Sequence, residues 1–270
     1  MKQGSLYEAL FQIGTLIFVI IIVHATYVTV IRPNAELIQE QQQLMQEQNP
    51  DIVPERSVFI IIRDYEQEFC IIFFLWAVTI IGMKTQHTLR QRALLERTLV
   101  KLQDGMSILP EDSRNYARPV QALAPKEKEF LLPRALLAGL HRFQSTQNIH
   151  AVSSIIKDTC ETEADRMETE LSIVRYIAWA IPSIGFLGTV RGIGTALGQA
   201  YQAVAGDIAG VTQSLGVAFN STFVALVVSI FLMFLLHQLQ LQQDRLVLDC
   251  QNYCDERLIR HMQVPEKANS

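Results

Sequence analysis

Apolar residues in this 270-residue chain gather in long blocks separated by strongly polar stretches. Between Glu8 and Arg32 lie 23 residues without a Lys, Arg, Asp or Glu, and between Asp207 and Asp244 lie 36. A bilayer core takes roughly 20 consecutive, mainly apolar helical residues, and soluble cores seldom use runs this long. The pattern predicts four transmembrane helices. The first ends the segment 1–31, in LFQIGTLIFVIIIVHATYVTVI. The second is 68–84, the third 173–201 and the fourth 214–239. A cleaved signal peptide is the rival reading of 1–31. The apolar run exceeds the usual 7–15 residues, however, and lacks a clean small-residue site. The expected fold class is an all-α integral membrane protein.

The polar blocks set the topology. Segment 32–67 holds three basic residues (Arg32, Arg56, Arg63) against seven acidic ones, and the short connection 202–213 has no Lys or Arg. Segment 85–172 holds twelve, with Arg90, Arg92, Arg97 and Lys101 close to the second span. Positive residues near span ends mark the cytoplasmic side. The expectation is therefore a multi-pass protein of a bacterial inner membrane with both termini cytoplasmic. Segments 32–67 and 202–213 lie outside. A helical insertion, 85–172, and a helical tail, 240–270, lie inside.

Within the insertion, 86–102 is amphipathic and should carry the second span onward, while 148–179 has no helix breaker before Pro182. In the tail, Leu239, Leu246, Cys250 and Tyr253 form a helical stripe suited to packing. The final PEKANS should fray. Lys84 is expected to snorkel from the end of the second span.

Charge and cysteine change the picture little. With 23 basic and 27 acidic residues the chain is nearly neutral, which speaks against a nucleic-acid partner. Cys160, Cys250 and Cys254 fall on the reducing side, and the last two read as half-buried thiols. Only His261 lies near the last two, too few ligands for a closed zinc site. No nucleophile–base constellation can be assembled, so neither an enzyme, a cofactor nor a bound metal is expected.

The stretch IPSIGFLGTVRGIG, 181–194, carries the candidate chemistry. Its continuation GIGTALG, 192–198, looks superficially like a dinucleotide-binding glycine pattern. That pattern needs a preceding strand and a helix opening at the glycines, whereas this one lies inside a helical run. Gly185, Gly188 and Gly192 are spaced i, i+3, i+7, a face that lets another membrane helix approach closely. Pro182 should bend or loosen that helix. Asn220, Ser221 and Thr222 form a second polar cluster on the next span, with Ser229 two turns on. With Thr189 they suggest a polar lining. The bland alternative is hydroxyls bonded to their own helix. Arg191 points about 200° away from Thr189. It either pairs with Asp207 near the outer end or stands at an ion entrance.

Pro182, GFLGTVRG (185–192) and VAFNSTFVAL (217–226) resemble the paired pore-helix motifs of the MotA/TolQ/ExbB proton-channel family, and the insertion-then-two-spans layout is similar. The motif is closest to the TolQ/ExbB-like transport branch, which has three spans; four spans resemble the flagellar stators. The resemblance implies that Thr189 and Thr222 face an ion pathway for H+ or Na+. It implies a homopentameric ring around a single-span ExbD/TolR/MotB-like partner dimer carrying an intramembrane aspartate. Two departures stand out. Val217 occupies a position where TolQ- and ExbB-like members often have a glutamate, and Arg191 one that is usually uncharged. No Asp or Glu is read within the hydrophobic spans, so the titratable group of a proton path is expected from the partner. A passive oligomeric scaffold and a small-solute secondary transporter are the alternatives, the latter disfavoured by the absence of internal repeats.

Overall fold

The computed structural model describes residues 2–48 (side chains from 10 to 45), 57–100, 106–206 and 208–264. The expected frayed end, PEKANS, and Asp207 lie outside the described residues. Among the described residues the protein is helical throughout, without a strand, and four helices are long and apolar enough to cross a membrane. The chain divides into two compact units: 1–82 with 173–236, and 83–172 with 237–270.

In the first unit α1 (Lys2–Thr26) is helical despite a run rich in Ile and Val. In lipid every backbone group needs an internal partner, and that outweighs β propensity. The helix does not end at Arg32–Pro33. A π-helical turn, Tyr27–Ile31, leads directly into α2 (Arg32–Gln48). Pro33 has no N–H for the carbonyl one turn back, and a widened turn absorbs the mismatch. Asn34 Nδ2 donates to Val30 O at 2.7 Å, keeping one carbonyl there partnered. A short α3 (Val58–Ile61) precedes α4 (Tyr65–Leu95). Val23, Tyr27 and Ile31 pack against Ile72 of α4, and Trp76 Nε1 donates to Gln12 O at 3.0 Å.

In the second unit α4 stops at Leu95, not near 102 as its periodicity suggests. The chain turns there because Leu99 and Val100 are buried in the unit's core, and Tyr253 Oη accepts from Leu99 N at 3.0 Å. After α5 (Ser113–Gln121) and α6 (Pro125–Lys128) come α7 (Leu131–Thr146) and α8 (Ile149–Glu170), packed as an antiparallel pair. Gln147, at φ 49°, closes α7 in the left-handed conformation. Asn148 then caps α8 by accepting from Ala151 N.

The core combines Leu136, Phe143, Val152 and Cys160 with Cys250 and Cys254 of the tail. All three thiols are fully buried, so Cys250 and Cys254 are not the half-buried pair expected. A hydrogen bond with Cys250, then burial, pushes the Cys160 thiol far above its usual range. Lys84 does not snorkel: it is 6% exposed and donates to Glu170 Oε2 at 2.6 Å. Burial favours a paired ammonium there over a free one.

α9 (Ser172–Gly198) follows α8 after a single residue, Leu171. After α10 (Ala200–Val204), α11 (Ala209–Arg257) runs 49 residues, so the fourth span and the tail are one helix. On α9 and α11 the large apolar side chains Phe186, Leu187, Phe219, Phe223 and Ile230 are exposed, while Gly185, Gly188, Gly192, Ala218 and Ala225 are buried along the crossing. That inverts a soluble fold and suits helices set in lipid or against other helices.

Candidate functional site at the α9–α11 crossing

α9 and α11 meet along the glycine face. A Cβ built on Gly185 would collide with Ala225 Cβ. One on Gly188 would lie 2.5 Å from Ser221 Cβ, and one on Gly192 only 2.8 Å from Ser214 O and Ala218 Cβ. Gly194 and Gly198 face open space. The three seam glycines therefore set the interhelical distance, and GIGTALG is ordinary helix whose N–H groups are already used.

This close approach brings the two threonines together. Thr189 Oγ1 and Thr222 Oγ1 are in direct hydrogen-bond contact. Thr189 also donates to Ala218 O at 3.0 Å, and Thr222 donates to Gly185 O at 3.1 Å. Each hydroxyl thus lies within reach of both its partner hydroxyl and a carbonyl of the facing helix. A hydroxyl both gives and accepts a hydrogen bond, so the pair is a short polar step in a seam that also buries Ser214, Ser221 and Ser229.

Pro182 belongs to the same construction. It cannot donate to Ala178 O, four residues earlier. Ser229 Oγ of α11 donates to that carbonyl instead, at 3.3 Å. The rule that a proline frees the i−4 carbonyl points to Ala178 O from sequence, and only packing shows that Ser229 takes it. The helix stays continuous through Pro182.

The second polar cluster is divided by the helix turn. Ser221 is fully buried against Gly188, and Thr222 meets Thr189. Asn220 points elsewhere, into a mixed cavity of about 440 Å³ that it shares with Gln39, Ile60, Arg63, Thr212 and Val217. The structure thus brings Thr189, Thr222 and Ser221 together but not Asn220.

The first turn of α4 adds residues that sequence reasoning passed over. Gln67, fully buried, donates to Ile61 O at 3.1 Å and lies 3.4 Å from Ser221 Oγ. Glu66 takes Arg191 on both carboxylate oxygens, Nε at 2.7 Å and Nη2 at 2.8 Å. Arg191 therefore pairs with Glu66, while Asp207 lies outside the described residues.

The expectation that the spans hold no acidic group needs correcting. Glu68, the first residue of the second hydrophobic segment, is 5% exposed. It accepts from Arg32, and its other oxygen lies 2.7 Å from His24 Nδ1 in the first span. Arg32 also lies over the Tyr65 ring at 4.3 Å. A charged residue at the edge of a hydrophobic window reads as a boundary marker, and only packing showed that it turns inward. Burial pushes the neighbouring Asp64 carboxyl up, against the lowering influence of Arg63 and Arg191.

Among the described residues, four membrane-length helices mark a multi-pass membrane protein, with a polar seam between the last two. Residues 127–252 match the MotA/TolQ/ExbB proton channel family, which supports membership in it. The matched region contains α9, the whole seam and most of α11. No curated protein matches the chain in a sequence comparison.

Proposed function

We propose that this chain is the ion-conducting subunit of a bacterial inner-membrane motor complex. It uses the proton or sodium motive force to move an enclosed partner dimer, energising transport or another mechanical task in the envelope. The carrying observation is the Thr189–Thr222 hydroxyl pair, set in a glycine-lined crossing inside the family-matched residues. Five copies form a ring, and α9 and α11 face its centre. The two partner chains each cross the membrane once and carry an intramembrane aspartate. Both termini and the unit built from 83–172 and 237–270 lie in the cytoplasm. Each charge that crosses gains about 2.3 kcal/mol per 100 mV. The partner carboxylate binds the cation, and the hydroxyl pair solvates it as it passes.

A second reading, a passive oligomeric scaffold, draws on the same atoms. Both threonines also bond backbone carbonyls across the seam, which is what residues that merely glue helices together do. Thr189→Val separates the two. The complex should be extracted gently, its mass and composition measured, and ion flux followed after reconstitution. The channel reading expects an intact ring with its single-span partner and lost flux. Wild-type flux in an intact Thr189→Val ring would remove the pair from the mechanism and favour the scaffold.

A further inference from the structure

Arg191 places a permanent positive charge two residues from Thr189, on the helix that carries the cation pathway proposed above. The two side chains project from opposite sides of α9, about 3 Å apart along its axis. The guanidinium, 52% exposed at its side chain, acts on the pair across the body of the helix. Left uncompensated, the guanidinium would oppose a cation at the threonine pair.

The structure supplies a compensating charge with dedicated geometry. Glu66 binds Arg191 through both carboxylate oxygens. Its side chain reaches α9 past Gly188: a Cβ there would stand 3.1 Å from Glu66 Cγ, so the glycine keeps the carboxylate arm's path open. The other acidic groups nearby are otherwise engaged. Glu68 is shared between Arg32 and His24. Asp64 lies 3.9 Å from Arg63, and burial pushes its carboxyl up against the lowering influence of Arg63 and Arg191. Glu66 is thus the carboxylate in direct contact with Arg191.

We infer that Glu66 is a positioning residue of the ion pathway: it neutralises Arg191, so that α9 can carry an arginine beside the threonine pair without repelling the transported cation. This inference rests on the channel reading.

The test is ion flux by the full complex in vesicles under an imposed potential, read with an internal pH dye and, separately, a sodium dye. Glu66→Gln should lower flux at least tenfold, and Arg191→Gln should leave it near wild type. The double variant Glu66→Gln/Arg191→Gln should recover to within about threefold of wild type, because no naked charge remains. A purely structural clamp predicts the reverse for the double variant, which lacks both partners and would stay inactive. Wild-type flux in Glu66→Gln, or an inactive double variant that elutes as an intact ring, would overturn the inference. If the double variant fails to assemble, Glu66→Asp decides: it keeps the charge on a shorter arm, so flux well above that of Glu66→Gln is expected, and equal flux would overturn the inference. A wild-type complex that passes neither H+ nor Na+ would instead overturn the channel reading, and this inference with it.

Discussion

His24 Nδ1 lies 2.7 Å from Oε1 of Glu68, joining a ring in the first apolar span to a carboxylate at the start of the second. The other carboxylate oxygen holds Arg32, so one buried side chain ties α4 to both α1 and α2. Within the first unit, the first turn of α4 is a polar hub. Glu68 reaches the N-terminal helices, Gln67 reaches Ser221 and Glu66 reaches Arg191.

The members of that hub should not contribute equally. Glu68→Gln leaves Arg32, 20% exposed at its side chain, without its carboxylate. Removing one partner of a buried pair costs roughly 3 kcal/mol. The His24 side chain is 58% exposed, so His24→Ala should cost less than about 1 kcal/mol. Thermal melts of the detergent-solubilised protein check this order. Equal destabilisation by the two variants would contradict it.

The seam glycines differ in a way that melts and assembly assays can read. At Gly192 an added methyl meets a backbone carbonyl and Ala218 Cα, at 2.8 and 2.9 Å, neither of which is the free end of a side chain. Gly192→Ala should cost about 1–3 kcal/mol by overpacking. At Gly194 nothing lies within 4 Å. Gly194→Ala should be neutral or gain up to about 1 kcal/mol from helix propensity.

In the second unit, burial raises the Glu170 carboxyl, but hydrogen bonds from Lys84 and Arg166 outweigh it and hold the group below its ordinary 4.5. A carboxyl depressed in the folded state contributes stability above its ordinary value and loses it as pH falls through the folded value. At neutral pH Glu170→Gln should therefore melt earlier, by roughly 2 kcal/mol for charge-assisted bonds. Wild type and variant should converge as the pH drops below 4.5. A gap that persists into strong acid would locate the effect elsewhere.

The sequence determined the class of this protein. Uncharged runs of 23 and 36 residues leave a chain little choice but to cross a membrane, and in lipid a helix satisfies its own backbone. The four spans and the family motif were therefore legible, because each is local. So was the seam in outline: Gly185, Gly188 and Gly192 fall on one face by the helical period alone. Tertiary structure decided the partners. Periodicity places Leu239 and Cys250 on a stripe but cannot say what covers them, nor that α4 ends at Leu95 so that Leu99 and Val100 can be buried. It orders Asn220, Ser221 and Thr222 as neighbours, yet only packing sends Asn220 into a separate cavity and its successors to α9. Glu66, Glu68 and His24 stayed invisible for the same reason. A charge at a window's edge looks solvated until another helix closes over it, and that closure depends on residues 44 to 125 positions away.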